Sequence, residues 1–264
     1  MRFLFWNTYE NTNINSVLCN IVVEQKINVI TLAEYKSDLN DLIKRLWLNG
    51  VIVQQYVTAG CERIIALGTE KSVAPNLQDK YYTIQQIGEE YLLCAAHLPS
   101  KYRKDDDTQE LTIRRFVRDI EQVEKECNIQ KTIIVGDLNQ NPYERGCLGA
   151  SGFHGIPVID DACKIERTIS GAKYKMFYNP MWNLLGDFHT PPGTYYCNNG
   201  ENVNPFWNLF DQVLIRPQLA ESFVSDSLKI LTGISNLSFL NGSNHPNTAI
   251  SDHLPIVFEI KETL

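Results

Sequence analysis

Short apolar segments rich in β-branched and aromatic residues recur along the whole sequence, and they constrain the fold more than any other feature. Segments of about four to eight such residues, bounded by Gly, Asn, Pro or charged residues, are typical of β-strands. The pattern therefore indicates a chain built mainly on sheets. The predicted strands lie at residues 2–6, 27–33, 51–57, 62–68, 81–87, 90–98, 131–135, 210–217 and 250–260.

Amphipathic helices are predicted at three places between these strands. Apolar residues recur at helical spacing over residues 14–22, and Asn13 stands where a helix N-cap is expected. A shorter helix is predicted at 39–46, and a longer one follows the capping-box pattern of 107–110. Many strands with few helices predict an α/β sandwich, in which two sheets pack face to face and helices cover them outside. No linker or internal repeat interrupts residues 1–264, which we interpret as one domain.

Composition limits the classes of function. The formal net charge of -7 argues against nucleic-acid binding through a broad basic surface, but it permits a locally positive cleft or bound cations. The seven cysteines include no C-x-x-C pair, so a structural zinc site is not expected. We interpret them as free thiols, mostly buried, in a reducing compartment. The N-terminal apolar run is too short for a signal peptide and no segment approaches a membrane span, so we predict a soluble cytoplasmic protein.

Five of the predicted strands are bordered by residues that bind metals or move protons. Each alone has an ordinary explanation, such as a cap, a solvated loop residue, a turn aspartate or a core histidine. Together they meet the needs of phosphodiester hydrolysis: oxygen ligands for a hard cation, a group that activates water, and a group that stabilises the leaving oxygen. These residues are Asn7, Glu34, His97, Asp137 with Asn139, and Asp252 with His253.

The order of these motifs resembles the endonuclease/exonuclease/phosphatase superfamily, which has the DNase I-like fold. The matching segments are WN at 6–7, the strand that ends at Glu34, HLP at 97–99, GDLNQNP at 136–142, DQVL at 211–214 and SDHLP at 251–255. They keep the order and approximate spacing of the family over residues 1–260. The resemblance implies a four-layered α/β sandwich, in which two packed mixed sheets are flanked by helices and the site lies at one end of both sheets.

The resemblance also implies a metal centre. Glu34 matches the principal metal ligand of the family, and Asn7 and Asp252 match residues that lie near the metal, directly or through water. Asp137 matches the aspartate that orients or activates the attacking water, and Asn139 matches the asparagine that holds the phosphate. Because all these ligands are oxygens, the expected cation is Mg2+ or Mn2+.

Two histidines complete the site that the resemblance implies. His253 matches the histidine that contacts the scissile phosphate, and Asp211 matches the carboxylate that orients this histidine and fixes its tautomer. His97 matches the second catalytic histidine of the DNase I and sphingomyelinase branches, and Glu62 more weakly matches its carboxylate partner. The chain departs from the family at Ala33, which replaces the usual glutamine before the metal-binding glutamate. This departure blurs the assignment to a branch.

Two segments bear on the choice of substrate. Lys101 and Arg103 follow His97 closely, and they either contact phosphates or belong to a solvated loop. The segment 174–210 is rich in aromatic side chains, which either stack on exposed bases or pack an insertion against the sheets. Substrate choice in this family depends on such loops rather than on the shared fold.

Three functions are consistent with this sequence. We predict a nuclease acting on DNA or RNA, because basic and aromatic segments accompany the hydrolytic residues. The first alternative is a phosphatase or phosphodiesterase acting on a small molecule or a lipid headgroup, of which the lipid is disfavoured because no membrane-binding hairpin is present. The second alternative is a binding protein that has lost catalysis, which is disfavoured because every expected catalytic residue type is present. Neither a membrane nor an obligate protein partner is predicted.

Overall fold

The computed structural model of the protein describes residues 1–100, 106–200 and 202–261, with the side chains of residues 73, 74 and 106 excepted. The candidate phosphate contacts Lys101 and Arg103 lie outside the described residues.

The helices are α1 (Asn15–Gln25), α2 (Leu39–Leu48), α3 (Asp106–Cys127), α4 (Arg145–Leu148) and α5 (Ile159–Ala162), and short 3-10 helices span Pro180–Leu184, Pro217–Leu219 and Ser225–Ser227. The strands are β1 (Arg2–Asn7), β2 (Val29–Ala33), β3 (Gln54–Tyr56), β4 (Ile64–Gly68), β5 (Ser72–Asp79), β6 (Tyr82–Ile87), β7 (Tyr91–His97), β8 (Lys131–Asp137), β9 (Gly155–Ile156), β10 (Glu166–Ile169), β11 (Ala172–Lys175), β12 (Phe177–Tyr178), β13 (Tyr195–Tyr196), β14 (Trp207–Asn208), β15 (Asp211–Ile215), β16 (Lys229–Ile230), β17 (Gly233–Ile234), β18 (Leu237–Ser238) and β19 (Ile256–Glu259).

Two large mixed sheets form the centre of the fold. The first sheet has the strand order β16-β19-β1-β2-β4-β3, and the second has the order β5-β6-β7-β8-β15-β12-β9. In the first sheet β1 is parallel to β2 and antiparallel to β19. In the second sheet β8 is parallel to β7 and antiparallel to β15. At one edge of each sheet, therefore, two strands end and a third begins.

Side-chain alternation along β1 shows how the layers pack, because successive residues of a strand face opposite sides of the sheet. Phe3 and Phe5 belong to a buried cluster that also contains inward-facing residues of the second sheet. Leu4 and Trp6 belong to another cluster, which they share with residues of α1 and α2. A third cluster joins the outer face of the second sheet to α3. The layers are thus helix, sheet, sheet and helix, and the predicted four-layered α/β sandwich is confirmed.

Several local predictions need correction. The N-cap of α1 is Ile14, which makes no side-chain capping bond, so the capping role predicted for Asn13 is wrong. The pattern at 107–110 lies inside α3, where Gln109 is buried and donates a hydrogen bond to the loop after β7. The last predicted strand begins only at Ile256, so residues 251–255, which were predicted to lie in that strand, lie in a loop.

The thiols and the helices bear on two further predictions. None of the seven cysteines forms a disulfide, and four of them are buried, as the sequence indicated. Among the described helices, none combines the length and the apolar character that crossing a bilayer requires.

A buried ion pair lies at the end of β15 that is remote from Asp211. Nε of Arg216 is 2.7 Å from Oε1 of Glu124, both side chains are almost fully buried, and the guanidinium lies 3.8 Å from the ring centroid of Phe177. We expect Glu124→Ala to lower the free energy of unfolding by about 3–5 kcal/mol, because it leaves a buried guanidinium without its main partner. Chemical denaturation measures this change.

The matched control for Glu124→Ala is Glu166→Ala, which removes an ion pair with Lys173 at the surface. We expect this control to change the free energy of unfolding by less than about 1 kcal/mol, because solvent screens exposed pairs. If the two variants lose equal stability, the buried pair does not have the role described here.

Candidate active site

The predicted site residues converge on one edge of the two sheets. The register of β1 and β2 places Glu34 immediately after the residue that pairs with Asn7. In the second sheet His97 is the register partner of Asp137 across β7 and β8. Asp211, at the start of β15, is the partner of Asp137 on its other side. Polar residues from distant parts of the chain therefore share one edge, as the sequence predicted.

Asp137 lies where the two sheets meet. Its Oδ2 accepts a hydrogen bond of 3.0 Å from Nδ2 of Asn7, so the contact joins one sheet to the other. Its Oδ1 accepts a hydrogen bond of 3.0 Å from the backbone N–H of Asn139. The Nε2 atoms of His97 and His253 lie 3.7 and 3.9 Å from Oδ2. The two imidazoles flank one carboxylate oxygen, so they are close enough to reach the same phosphate.

His253 is held by contacts to its ring and to its backbone. Nδ1 lies 2.7 Å from Oδ2 of the fully buried Asp211. The hydroxyl of Ser251 accepts the backbone N–H of His253 at 3.0 Å, and the indole of Trp6 donates to its carbonyl at 2.9 Å. Burial by itself lowers the pKa of His253, but the carboxylates of Asp211 and Asp137 outweigh it and raise the pKa to about 10. These two carboxylates therefore favour the protonated form of the imidazole, whose Nε2 faces Asp137.

His97 has a different environment from His253. Its Nε2 lies 3.6 Å from Oε1 of Glu34, and its Nδ1 is buried without a hydrogen-bond partner among the described residues. Burial lowers the pKa of His97, although the charge of Asp137 opposes this shift. The structure does not form the predicted pair with Glu62, which is exposed in the turn before β4. Because Glu62 lies in a turn and not in β4, the regular alternation of side chains along that strand does not fix the direction of its carboxylate.

Two of the site residues have a left-handed backbone, Glu34 with φ 50° and Asn139 with φ 51°. This conformation is uncommon for residues other than glycine, although asparagine tolerates it better than most. The carbonyl of Glu34 accepts hydrogen bonds of 3.0 Å from the hydroxyl of Thr8 and from the N–H of Glu10. Nδ2 of Asn139 donates to the carbonyl of Leu98 at 3.0 Å. Such conformations persist where the surroundings hold them, and they are frequent at functional sites.

The oxygen atoms at this edge fit a hard divalent cation. Oδ1 of Asp252 is buried without a hydrogen-bond partner among the described groups, and burial raises the pKa of this carboxyl. A buried carboxylate oxygen without a partner is costly unless a cation neutralises it. The carboxylate of Glu34 is about one-third exposed, and Asn7 adds an amide oxygen. This donor set contains oxygen only, which suits Mg2+ or Mn2+.

A tighter group of possible metal ligands consists of Asp137, Asp211 and His253, whose ligand atoms lie within 4.8 Å of one another among the described residues. Asp211 and His253 already bond each other at 2.7 Å. We therefore assign Asp211 to orienting the imidazole rather than to holding a metal. The metal ligands that the sequence predicted, Asn7, Glu34 and Asp252, remain a prediction.

Tyr195 also belongs to the site, although the sequence pattern did not distinguish it from the other aromatic residues of 174–210. Its ring centroid lies 4.8 Å from that of His253 and 5.5 Å from that of Phe210. Its backbone also pairs with His253 in an isolated bridge. The rest of the segment has mixed positions, since Phe177 is buried in the core and Phe188 is 97% exposed.

The fold is similar to those of known nucleic-acid enzymes, although no protein-family profile matches the sequence and no curated protein matches it. The 3'-5' exonuclease NExo from Neisseria meningitidis superposes with a TM-score of 0.57 at 13% identity, over 99% of this chain and 100% of that one. An AP endonuclease from Archaeoglobus fulgidus gives 0.56 at 12% identity, over 99% and 100%. The endonuclease domain of TRAS1, a telomere-specific non-LTR retrotransposon, gives 0.54 at 13% identity, over 100% and 99%.

This chain has the DNase I-like fold. The expected DNase I-like architecture is confirmed along nearly the whole chain. In this DNase I-like fold both sheets present strand ends at one edge, which is why polar residues that follow separate strands meet there. At 12–13% identity these superpositions establish the architecture alone, and a function must be argued from the residues of the site.

Proposed function

We propose that this protein is a divalent-metal-dependent phosphodiester hydrolase whose substrate is DNA or RNA. One observation carries the proposal: the Nε2 atoms of two histidines lie 3.7 and 3.9 Å from the same oxygen of Asp137. A nucleophile-activating carboxylate and two imidazoles are thereby within reach of a single phosphorus atom. Groups placed in this way suit general acid–base catalysis and the stabilisation of developing negative charge.

Each side chain has a part in the proposed reaction. Asp137 orients the attacking water and accepts its proton. Asn139, whose backbone N–H donates a hydrogen bond to Asp137, presents its side-chain amide to an oxygen of the phosphate. His253, oriented by Asp211, presents Nε2 to a phosphate oxygen. His97 lies on the other side of the same carboxylate, where its Nε2 can hydrogen-bond a phosphate oxygen or transfer a proton to the leaving oxygen.

Glu34, Asn7 and Asp252 are the residues that would hold the cation. When bound, Mg2+ or Mn2+ supplies positive charge that stabilises the negative charge developing on the phosphate oxygens. Such charge also offsets the acidic character of a chain whose formal net charge is -7, which would otherwise repel an anionic substrate.

Nucleic acid is favoured as the substrate by the structural neighbours. Those compared above are named as an exonuclease, an AP endonuclease and a retrotransposon endonuclease. A further NExo structure, described as a 3' phosphatase, is bound to a product DNA hairpin. We also propose a cytoplasmic location, which is supported by the absence of disulfides among the seven cysteines.

The test compares the wild-type protein with Asp137→Asn in the presence of Mg2+ or Mn2+. The substrates are single- and double-stranded DNA, RNA, bis(p-nitrophenyl) phosphate and p-nitrophenyl phosphate. We expect the wild type to cleave DNA or RNA, and Asp137→Asn to be slower by at least about 100-fold, because the water loses its base. Asp187→Asn, which changes an exposed aspartate, is the matched control.

Other outcomes of this comparison distinguish the alternatives. Hydrolysis of the small phosphoesters without cleavage of nucleic acid would favour the small-molecule phosphatase or phosphodiesterase. Binding of nucleic acid without hydrolysis of any substrate would favour a protein that has lost catalysis.

A further inference from the structure

Arg63 lies at the edge of the candidate active site and is neither a predicted metal ligand nor one of the proposed catalytic residues. It immediately precedes β4, whose first residue is the register partner of Ala33, the residue before Glu34. Arg63 is therefore at the same edge of the first sheet as the predicted metal ligand. It is also close enough to His97 for its charge to act on that histidine.

An aromatic ring holds the Arg63 side chain in place. Its Cζ lies 4.8 Å from the ring centroid of Tyr81, and Nζ of Lys80 lies 5.7 Å from the same centroid. The backbone carbonyl of Tyr81 accepts the backbone N–H of His97 at 2.9 Å. The ring that supports the guanidinium is thus anchored to the strand end that carries the histidine. A cation–π contact orients a guanidinium without neutralising its charge.

The guanidinium of Arg63 keeps its hydrogen-bond donors available. Within the described residues no carboxylate forms an ion pair with it, whereas Arg115 is paired with Asp79 at 2.8 Å. The Tyr81 ring is a hydrophobic support that leaves the planar fork of N–H groups free for an oxyanion. A half-buried, oriented and unpaired arginine beside a phosphodiesterase-like site is suited to bind phosphate.

We infer that Arg63 binds a phosphate adjacent to the scissile one, on the His97 side of the site. The protein thereby selects polynucleotides over isolated phosphoesters. Lys80, on the same ring, adds positive charge along the path of the same strand. A contact of this kind positions the strand without reading its sequence. This inference rests on the proposed function and specifies its substrate class.

The first test measures hydrolysis by Arg63→Gln. For a short oligonucleotide we expect kcat/KM to fall by about 10- to 100-fold, mainly through KM, because a charge-assisted hydrogen bond to phosphate is lost. Hydrolysis of bis(p-nitrophenyl) phosphate, which has no second phosphate, is expected to change by less than about twofold. Arg63→Lys keeps the charge but not the fork, so it is expected to recover part of the loss. The control is Arg118→Gln, which removes the same charge from an exposed position on α3.

The second test measures binding without turnover. A labelled single-stranded oligonucleotide is titrated into His253→Ala with and without Arg63→Gln at several salt concentrations. We expect the Arg63 change to weaken affinity and to reduce the salt slope by about one, the effect of losing one phosphate contact.

Each remaining outcome has a definite meaning. Equal losses on the oligonucleotide and on bis(p-nitrophenyl) phosphate would place Arg63 at the scissile phosphate and overturn the inference. Kinetics and affinity no different from those of Arg118→Gln would also overturn it, while the nuclease proposal would stand. If the wild type cleaves no nucleic acid, the proposed function fails, and the binding test alone then decides whether Arg63 engages a polynucleotide.

Discussion

Replacing His253 with alanine is expected to slow phosphodiester hydrolysis by about 100- to 10,000-fold, the usual cost of removing a positioned group that transfers a proton or stabilises charge. Its ring is fixed by the 2.7 Å contact with Asp211, and its Nε2 faces Asp137. We expect His97→Ala to reduce the rate within the same range, because its Nε2 faces the same oxygen of Asp137.

The variant that lacks both histidines is expected to be much less impaired than the product of the two single effects. Both groups act on one transition state, and the effects of residues that act as a unit are not additive. Single-turnover kinetics with saturating Mg2+ or Mn2+ measure all three variants. His189→Ala, in an exposed segment, is the control and should retain the wild-type rate. Fully multiplicative losses would show that the two histidines act on separate steps.

Removal of the divalent cation is expected to abolish activity, and Glu34→Ala is expected to remove most of the affinity for it. Changes to groups that only support a metal ligand cost about 10- to 100-fold in affinity, so loss of a direct ligand should cost at least that much. The Glu34 side chain is partly exposed, so its loss opens no core cavity and the melting temperature should change little. Calorimetric titration with Mg2+ or Mn2+ measures the affinity independently of activity.

Glu89→Ala is the matched control for Glu34→Ala, because Glu89 is an exposed glutamate in the turn between β6 and β7. Its affinity for the cation should equal that of the wild type. Undiminished affinity in Glu34→Ala would show that another residue is the principal ligand. Full activity in excess EDTA would contradict the metal-dependent mechanism as a whole.

The strands that the sequence predicted well are those buried on both faces. β1, β2, β7 and β8 are continuous apolar segments, and such segments indicate a central strand whatever their neighbours are. β5 was not predicted, because it is an edge strand that contains Pro75 and several polar residues. Its pairing with β6 shifts register on both sides of Pro75. Proline is tolerated at such an edge but removes the pattern by which a strand is recognised.

In the site, too, some residues could be predicted from the sequence and others could not. Asn7, His97, Asp137 and His253 were predicted because each borders an apolar strand, and the structure brings them together. The pairing predicted for Glu62 depended on the alignment of one turn, and the structure leaves that residue exposed. Tyr195 was not distinguished from the other aromatic residues of 174–210. Arg63 was not predicted because the resemblance pointed to its neighbour Glu62 as the residue beside His97.

The sequence by itself determined the central strands of the two sheets and which polar residue types stand at their ends, because apolar segments and strand termination are local properties of the chain. Only the tertiary structure decided which of those residues meet. Asn7 and Asp137 are 130 positions apart and belong to different sheets, yet their side chains form a hydrogen bond of 3.0 Å. That bond depends on how closely the sheets pack and in which register their strands align, and no local pattern encodes either quantity.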